Sequence, residues 1–292
     1  MIPVRLTVTA IDADKGSPSS VSLKQDGVTR QISCRGGLIS ATGGFNRNPQ
    51  LRARMLRQPV AEYCPGAPGH TGQLHELLSG LGARHGDDGR DSALRTPVSV
   101  RKRADAKSPS IPAYLIADET ALRKYGLGMV RPGRWGRAPF LRDGYLTRAE
   151  TLPELAAKLG SDQANLVETI TRFNQFARTG IDEDFGRGST DYQRITAGDM
   201  KHAPNPCLGP IETPPFYAVR LFPGDIGAAT GFVTDESSCA LRQDGSRIEK
   251  LYACGNDMHS VMGGNYPGPG ITLGPAIVFA YVAVRDIASR LS

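Results

Sequence analysis

The chain lacks any cysteine pattern. Cys34, Cys64, Cys207, Cys239 and Cys254 are odd in number, scattered, and never spaced as CxxC. Neither a disulfide framework nor a zinc centre is signalled, and a reducing, cytoplasmic setting is expected. Long apolar runs are also missing. The opening MIPVRLTVTA has no apolar core of signal-peptide length, and no window approaches the ~20 apolar residues of a membrane span. No membrane span is therefore expected. No GxSxG nucleophile elbow occurs, which removes the Ser-His-Asp hydrolase reading. His70 and His75 are close in sequence, yet no carboxylate or cysteine beside them completes a ligand set, so no metal is expected. The formal charge of +6 draws on RTPVSVRKRADAK, residues 95–107, but no aromatics interleave with those cations. No nucleic-acid partner is expected.

What is present is a soluble, loop-rich globular composition. Apolar residues make up 39% of the 292, enough for a substantial core in one large or two smaller domains. PVRLTVTAI, SVSLK and VTRQIS alternate as strands, with QDG (25–27) as a hairpin turn. GGLISATGGF is a short apolar strand emptying into Thr42, Gly43 and Gly44, a pattern that lets a ligand approach backbone. Asn48 and Pro49 open a helix over 48–58, and QLHELLSGLGA forms another. Residues 91–112 carry no periodicity and read as a linker. Beyond them, IPAYLIADETALRKYG reads as strand, acidic turn and helix. Thr151 and Glu154 stand in capping-box relation. A helix starting at Ser161 carries Leu166, Ile170, Phe173 and Ala177 on one face and stops at Gly180.

Chemistry concentrates at the end. LYACGND, 251–257, is an apolar strand terminating at Gly255, with Asn256 and Asp257 just beyond. In open α/β sheets ligands lie outside the carboxyl ends of strands, so this end and that of LISATGG are expected to share one cofactor crevice. GGNYPGPGITLGPA, 263–276, then runs into a final helix from Thr272 that is apolar nearly all round at first, as for a helix buried at its start. Its first amides are orphan donors at the positive dipole end, suited to an anion or a polarised carbonyl. Glycines there remove the Cβ atoms that would hold off a flat ligand.

LISATGGFNRNP, GAPGHTG, PNPCLGPIETPPFYAVRLFPGDIG and LYACGNDMHSVMGGNYPGPGITLGPA resemble the FAD-dependent oxidoreductases of the fumarate reductase and 3-ketosteroid dehydrogenase superfamily. The last two are most similar to the 3-ketosteroid Δ1-dehydrogenase branch. The resemblance implies an α/β fold with an α+β insertion: the C-terminal part of a Rossmann-like FAD-binding domain in segments 1–92 and 221–292, and an inserted catalytic or cap domain over 93–220. It implies FAD as cofactor, with Thr272 and Leu273 at the isoalloxazine edge, Asn256 and Asp257 near the ribityl chain, and Ala41, Thr42 and Gly43 near the adenosine half. Tyr266 and the N–H of Gly270 would hold the carbonyl of a steroid-like ketone while a hydride passes to the flavin. His259 would lie beside that site.

Departures from the family accompany the matches. Relatives begin with a strand and GxGxxG that cradle the FAD pyrophosphate, and no GxGxxG occurs in this chain, which implies an N-terminally truncated member. Gln73 and Leu74 follow GHTG where relatives have Asp and Gly. Tyr114 lies in an apolar strand, a core position rather than a base. The function expected is C1–C2 desaturation of a 3-ketosteroid-like cyclic ketone. Alternatives are a non-catalytic flavoprotein fragment or a fumarate reductase-like enzyme acting on an unsaturated acid. An exposed sheet edge predicts homo-oligomerisation or a partner supplying a βαβ unit.

Overall fold

The computed structural model describes residues 6–55, 64, 66–86, 93–95, 111–133, 135–222, 224–263 and 268–292. The chain divides into two compact units, Met1–Ser108 with Phe222–Ser292, and Pro109–Leu221.

The first unit opens with an antiparallel meander of β1 (Thr7–Asp14), β2 (Ser17–Gln25) and β3 (Val28–Ser33). The β2–β3 turn has Asp26 at φ 50° and Gly27 at φ 83°. Both central residues are left-handed, as a tight hairpin matched to strand twist requires. β4 (Leu38–Ser40) follows, then α1 (Pro49–Met55) and α2 (Gln73–Gly80). Asn48 caps α1 as expected, its Oδ1 accepting from the amides of Gln50 and Leu51 at 3.0 Å. Within the expected linker, β5 (Ala93–Arg95) pairs antiparallel with a later strand of this unit; residues 96–110 lie outside the described residues.

The second unit is an antiparallel sheet flanked by helices. Its elements are β6 (Ala113–Ala117), α3 (Glu119–Tyr125), α4 (Arg137–Arg142), β7 (Leu146–Ala149), α5 (Leu152–Leu159), α6 (Gln163–Thr179), α7 (Asp191–Ala197) and β8 (Phe216–Leu221), with strand order β6-β8-β7. The central β8 is covered on both faces. Tyr217 and Val219 join Leu122 and Leu146 on one side, Phe216 and Ala218 join Leu155 and Leu159 on the other. This alternation is the period of two that a pleated strand imposes. Thr151 caps α5 by accepting from the Glu154 amide, and Glu154 returns by accepting from the Glu150 amide at 2.9 Å. The cap of α6 is Asp162, one residue later than expected, because its carboxylate accepts from the Asn165 amide at 2.8 Å. Ile170 and Ala177 are buried and Leu166 and Phe173 half-buried, as expected. Asn174 joins that face because it pairs with both backbone groups of Ile211, at 2.8 and 3.0 Å. Tyr114 is half-buried on β6 and donates to the carbonyl of Leu159 at 2.8 Å.

The chain then returns to the first unit through β9 (Asp225–Ala228), β10 (Cys239–Leu241) and β11 (Arg247–Ala253), and ends in α8 (Leu273–Leu291). A mixed sheet of order β10-β11-β4 forms, with β4 and β11 parallel: Leu38 opposite Leu251, Ile39 opposite Tyr252, Ser40 opposite Ala253. Leu78, Phe232, Ile248 and Leu251 form its core with Leu74 and Met258. One expectation fails here. The start of α8 is not buried among the described residues: Leu273 is 69% and Ile277 68% exposed, and Ala283 is the helix's one buried residue. Nothing described covers that apolar face, whose burial the sequence pattern had implied.

Candidate cofactor site

Parallel pairing of β4 and β11 brings their carboxyl ends side by side, and the Cys254 amide donates to the Ser40 carbonyl at 3.0 Å just past the last pair. Both strands then turn sharply. Gly43 and Gly44 lie at φ 88°, Gly255 at φ 61°, left-handed conformations that a side chain would strain.

The two turns are joined by one carboxylate. Asp257 has no exposed surface. Its Oδ2 accepts from Ser40 Oγ at 2.6 Å, the Thr42 amide at 2.5 Å and Thr42 Oγ1 at 2.8 Å. Its Oδ1 accepts from the Gly44 amide at 2.7 Å and lies 3.0 Å from His75 Nε2. Burial alone would raise the pKa of this carboxyl. The hydrogen bond and charge of His75, with the Ser40 and Thr42 donors, more than offset burial and hold it well below the usual range. Asp257 thus faces inward and fastens the 40–44 turn to the 255–257 turn. A saturated, buried carboxylate does not offer itself to ribityl hydroxyls, which corrects the role expected for its side chain.

Behind Asp257 stands an imidazole pair, His75 buried and His85 half-buried. His75 Nδ1 is 2.9 Å from His85 Nε2, and both rings pack edge-on or tilted against Phe45 and Phe232. Burial, then the neighbouring His75, Arg54 and His259, push His85 down to about 4, against a smaller opposing pull from Asp257. This Asp257–His75–His85 chain had no sequence signal, because its members are separated by 182 and 10 residues and meet only through the fold. No cluster of three or more metal-ligating side chains occurs among the described residues. His70 has a different place: a Cβ on Gly43 would lie 2.5 Å from its Nε2, so the imidazole occupies space that Gly43 leaves free.

The start of α8 forms the other wall. Residues 264–267, Tyr266 among them, lie outside the described residues. Gly270 is left-handed at φ 92°, and its carbonyl accepts from the Gly274 amide at 2.7 Å. Thr272 occupies the N-cap position without a side-chain cap bond, and Pro275 in the first turn carries no amide. A Cβ added to Gly270 or Gly274 would meet nothing within 4 Å, so this backbone is open to an approaching group. Asn256 and Thr272 line one crevice, together with Gly255, His259, Ile271 and Pro275. Leu273 and Ala41 are exposed. Thr42 is exposed too, although its amide and hydroxyl are held by Asp257, and it opens onto a second crevice with Thr7, Gly69 and Gln73. Of the residues assigned to an isoalloxazine edge and ribityl chain, Thr272 and Asn256 are therefore on one crevice, and Thr42 is on another. His259 lines the first crevice, and its Nδ1 is buried without a hydrogen-bond partner. A Cβ on Gly86 would sit 2.0 Å from that nitrogen, so the bare Gly86 seats the ring.

Comparison with known proteins gives the arrangement its context. The 3-oxosteroid 1-dehydrogenase of Mycolicibacterium smegmatis is 35% identical over 308 residues, covering 90% of this chain and 54% of the relative. The 4-oxocyclohex-2-ene-1-carboxylate 5-dehydrogenase of Sinomonas cyclohexanicum is 32% identical, covering 90% of this chain and 52% of the relative. The crystal structure of 3-ketosteroid Δ1-dehydrogenase from Sterolibacterium denitrificans, in complex with 1,4-androstadiene-3,17-dione, superposes with TM-score 0.90 at 29% identity over 98% of this chain and 59% of that one. The chain thus spans between half and two thirds of the length of these proteins. The family profile described as FAD binding domain matches residues 4–273, through both strand ends and up to the start of α8. By that match the chain belongs to the FAD binding domain family, with FAD as its cofactor and 3-oxosteroid dehydrogenases among its relatives.

Proposed function

We propose that this chain carries the ring-ketone site of an FAD-linked dehydrogenase. The observation that carries the reading is the crevice at the start of α8, where Asn256 and Thr272 meet beside open backbone at Gly270. The local residues fit a flavin edge: a helix start, glycines without Cβ obstruction, and an asparagine amide within the same crevice. FAD, when bound there, supplies the hydride acceptor.

The chain's own part is to polarise the ketone. Removing a proton from the carbon beside a carbonyl builds negative charge on its oxygen. The phenol of Tyr266 and the amide of Gly270 are assigned as donors to that oxygen, each contributing on the order of 3 kcal/mol to the developing charge. The substrate class follows from what the relatives' names share. A 3-oxosteroid and a 4-oxocyclohexene carboxylate both present a six-membered ring ketone whose adjacent carbons lose hydrogen. A six-membered ring ketone is therefore assigned, with Ala41, Thr42 and Gly43 left to the adenosine half of the cofactor.

The test is spectroscopic. The purified chain is titrated with FAD and then, without oxygen, with a 3-ketosteroid or 4-oxocyclohexanecarboxylate. Uptake of a flavin absorbance band and its bleaching by either ketone is the expected result; a chain that takes up no FAD, or a bound flavin that neither ketone bleaches, refutes the reading. Tyr266→Phe is expected to lower turnover by about two orders of magnitude at unchanged flavin content. Unchanged turnover would remove Tyr266 from the site.

A further inference from the structure

In the second unit, α3 and the 199–213 segment are fastened to each other at both ends of the helix. At its start, one oxygen of Asp118 accepts from the Ala121 amide at 2.8 Å, and the other from the amides of Glu212 and Thr213 at 3.1 and 3.0 Å. At its end, Asp199 accepts from Lys124 Nζ at 2.5 Å and from the Tyr125 hydroxyl at 2.6 Å. Asn174 of α6 holds both backbone groups of Ile211, which brings its neighbour Phe173 to the same place. Between these fastenings the walls stand apart and enclose a cavity of about 440 Å³. That is within the range of small-molecule sites, about 300–1,000 Å³. The cavity shares no lining residue with the crevice at the start of α8.

Its lining selects against charge. Ile116, Ala121, Phe173 and Ile211 give it apolar surface. The charged side chains that line it are already matched: Lys124 by Asp199, Glu212 by Arg178, and Asp118 by its three amides. A charged ligand would lose its hydration there without gaining a counter-ion. His202 differs from these groups. It lines the cavity while its Nε2 is buried with no hydrogen-bond partner among the described residues, so the ring meets the cavity by its other side. An orphaned buried N–H is rarer than an orphaned acceptor, which places the proton of a neutral ring on Nδ1. The imidazole then presents a donor, and its complement is a neutral acceptor such as a carbonyl oxygen.

We propose that this cavity is a second binding site for a neutral ring ketone, its rings against Phe173, Ile116 and Ile211 and its carbonyl oxygen accepting from His202 Nδ1. The inference rests on the ring-ketone reading of the chain for its choice of ligand; the cavity and its matched charges do not depend on that reading. Ketone bound there is held and not dehydrogenated, since the hydride acceptor belongs to the crevice at the start of α8.

The probe is 1,4-androstadiene-3,17-dione, the ligand of the S. denitrificans structure, titrated without FAD into the whole chain isotope-labelled at its isoleucine methyls. In methyl NMR spectra Ile116 and Ile211 mark this cavity, and Ile271 marks the crevice at α8. Saturable shifts of Ile116 and Ile211 are expected. A 3-oxosteroid with a carboxylate in place of the far ketone should bind at least about tenfold more weakly, because it brings an unmatched charge. Thr120→Trp, at an exposed position on the cavity wall, should abolish the shifts by filling the space. His202→Leu should weaken binding about three- to tenfold, the worth of one hydrogen bond. Far-UV circular dichroism checks that each variant is folded, and the comparison of the two steroids on the unaltered chain needs no variant. Unmoved Ile116 and Ile211 methyls, equal binding of the carboxylate, or folded variants that bind like the wild type would each overturn the proposal. The titration contains no FAD, so its failure leaves the flavin reading standing. A chain that takes up no FAD yet shifts Ile116 and Ile211 loses that reading and keeps this site.

Discussion

Replacing Asp257 tests whether one carboxylate holds the two cofactor turns together. In Asp257→Ala the donors of Ser40, Thr42, Gly44 and His75 lose their acceptor. The hydroxyls of Ser40 and Thr42 can rotate to other acceptors, but the amides of Thr42 and Gly44 are fixed by the backbone. Each orphaned buried donor costs about 1–3 kcal/mol, and losing one side of a buried charged pair costs about 3–5 kcal/mol, so a loss of about 5 kcal/mol or more is expected. Asp257→Asn should cost less, about 2 kcal/mol, since its oxygen can still serve the Thr42 side while its amide meets His75 and leaves the Gly44 amide unmatched. Urea unfolding followed by circular dichroism measures the total. Hydrogen exchange of peptides covering 38–44 and 251–257 locates it. The sign with pH is a second check. A carboxyl held below its unfolded value stabilises the fold above that value, and the contribution disappears as pH falls below about 4. The gap between wild type and Asp257→Asn should therefore narrow on acidification. Equal urea midpoints for wild type and Asp257→Ala, or a gap that stays constant down to acid, would refute the clamp.

His85, held down to about 4 by burial and by its neighbours His75, Arg54 and His259, binds fewer protons folded than unfolded between that value and its ordinary 6.5. Stability should fall as pH drops through this window, by at most about 3 kcal/mol, and His85→Phe should flatten the profile in urea midpoints; an unchanged slope would show that His85 does not titrate there. A Cβ on Gly231 would lie 2.5 Å from the carbonyl oxygen of Asp257 and 2.7 Å from the backbone of Met258. Gly231→Ala should thus cost about 2–3 kcal/mol, because backbone rather than a flexible side chain must yield. Gly27→Ala, at φ 83° with nothing within 4 Å, should cost only about 1 kcal/mol from its backbone conformation. Thermal melts of the two variants compare them directly, and equal losses would contradict the packing argument.

Much of the local structure was legible because it rests on local chemistry. Asn48 and Thr151 announce their helices by side chains that reach amides two or three residues on. The QDG turn follows from Gly27, and the two strand ends from apolar runs that stop in small residues. The parallel neighbours β4 and β11 are more than two hundred residues apart, yet their shared pattern of apolar strand and abrupt glycine pointed to adjacent strand ends; the single crevice expected there is two, with Asn256 on one and Thr42 on the other. The buried polar chain was not legible, since nothing near His75 or His85 points to Asp257. Nor was the exposure of α8, because an apolar pattern states that a face must be covered without stating by what.

By itself the sequence determined the family and many of the local elements, since these depend on motif and on short-range propensity. Only the tertiary structure decided what Asp257 does. Burial and five converging hydrogen bonds make it the fastening between the 40–44 turn and the 255–257 turn. It also decided which side of α8 is uncovered among the described residues, because that depends on which helix faces β11 and β4 take up.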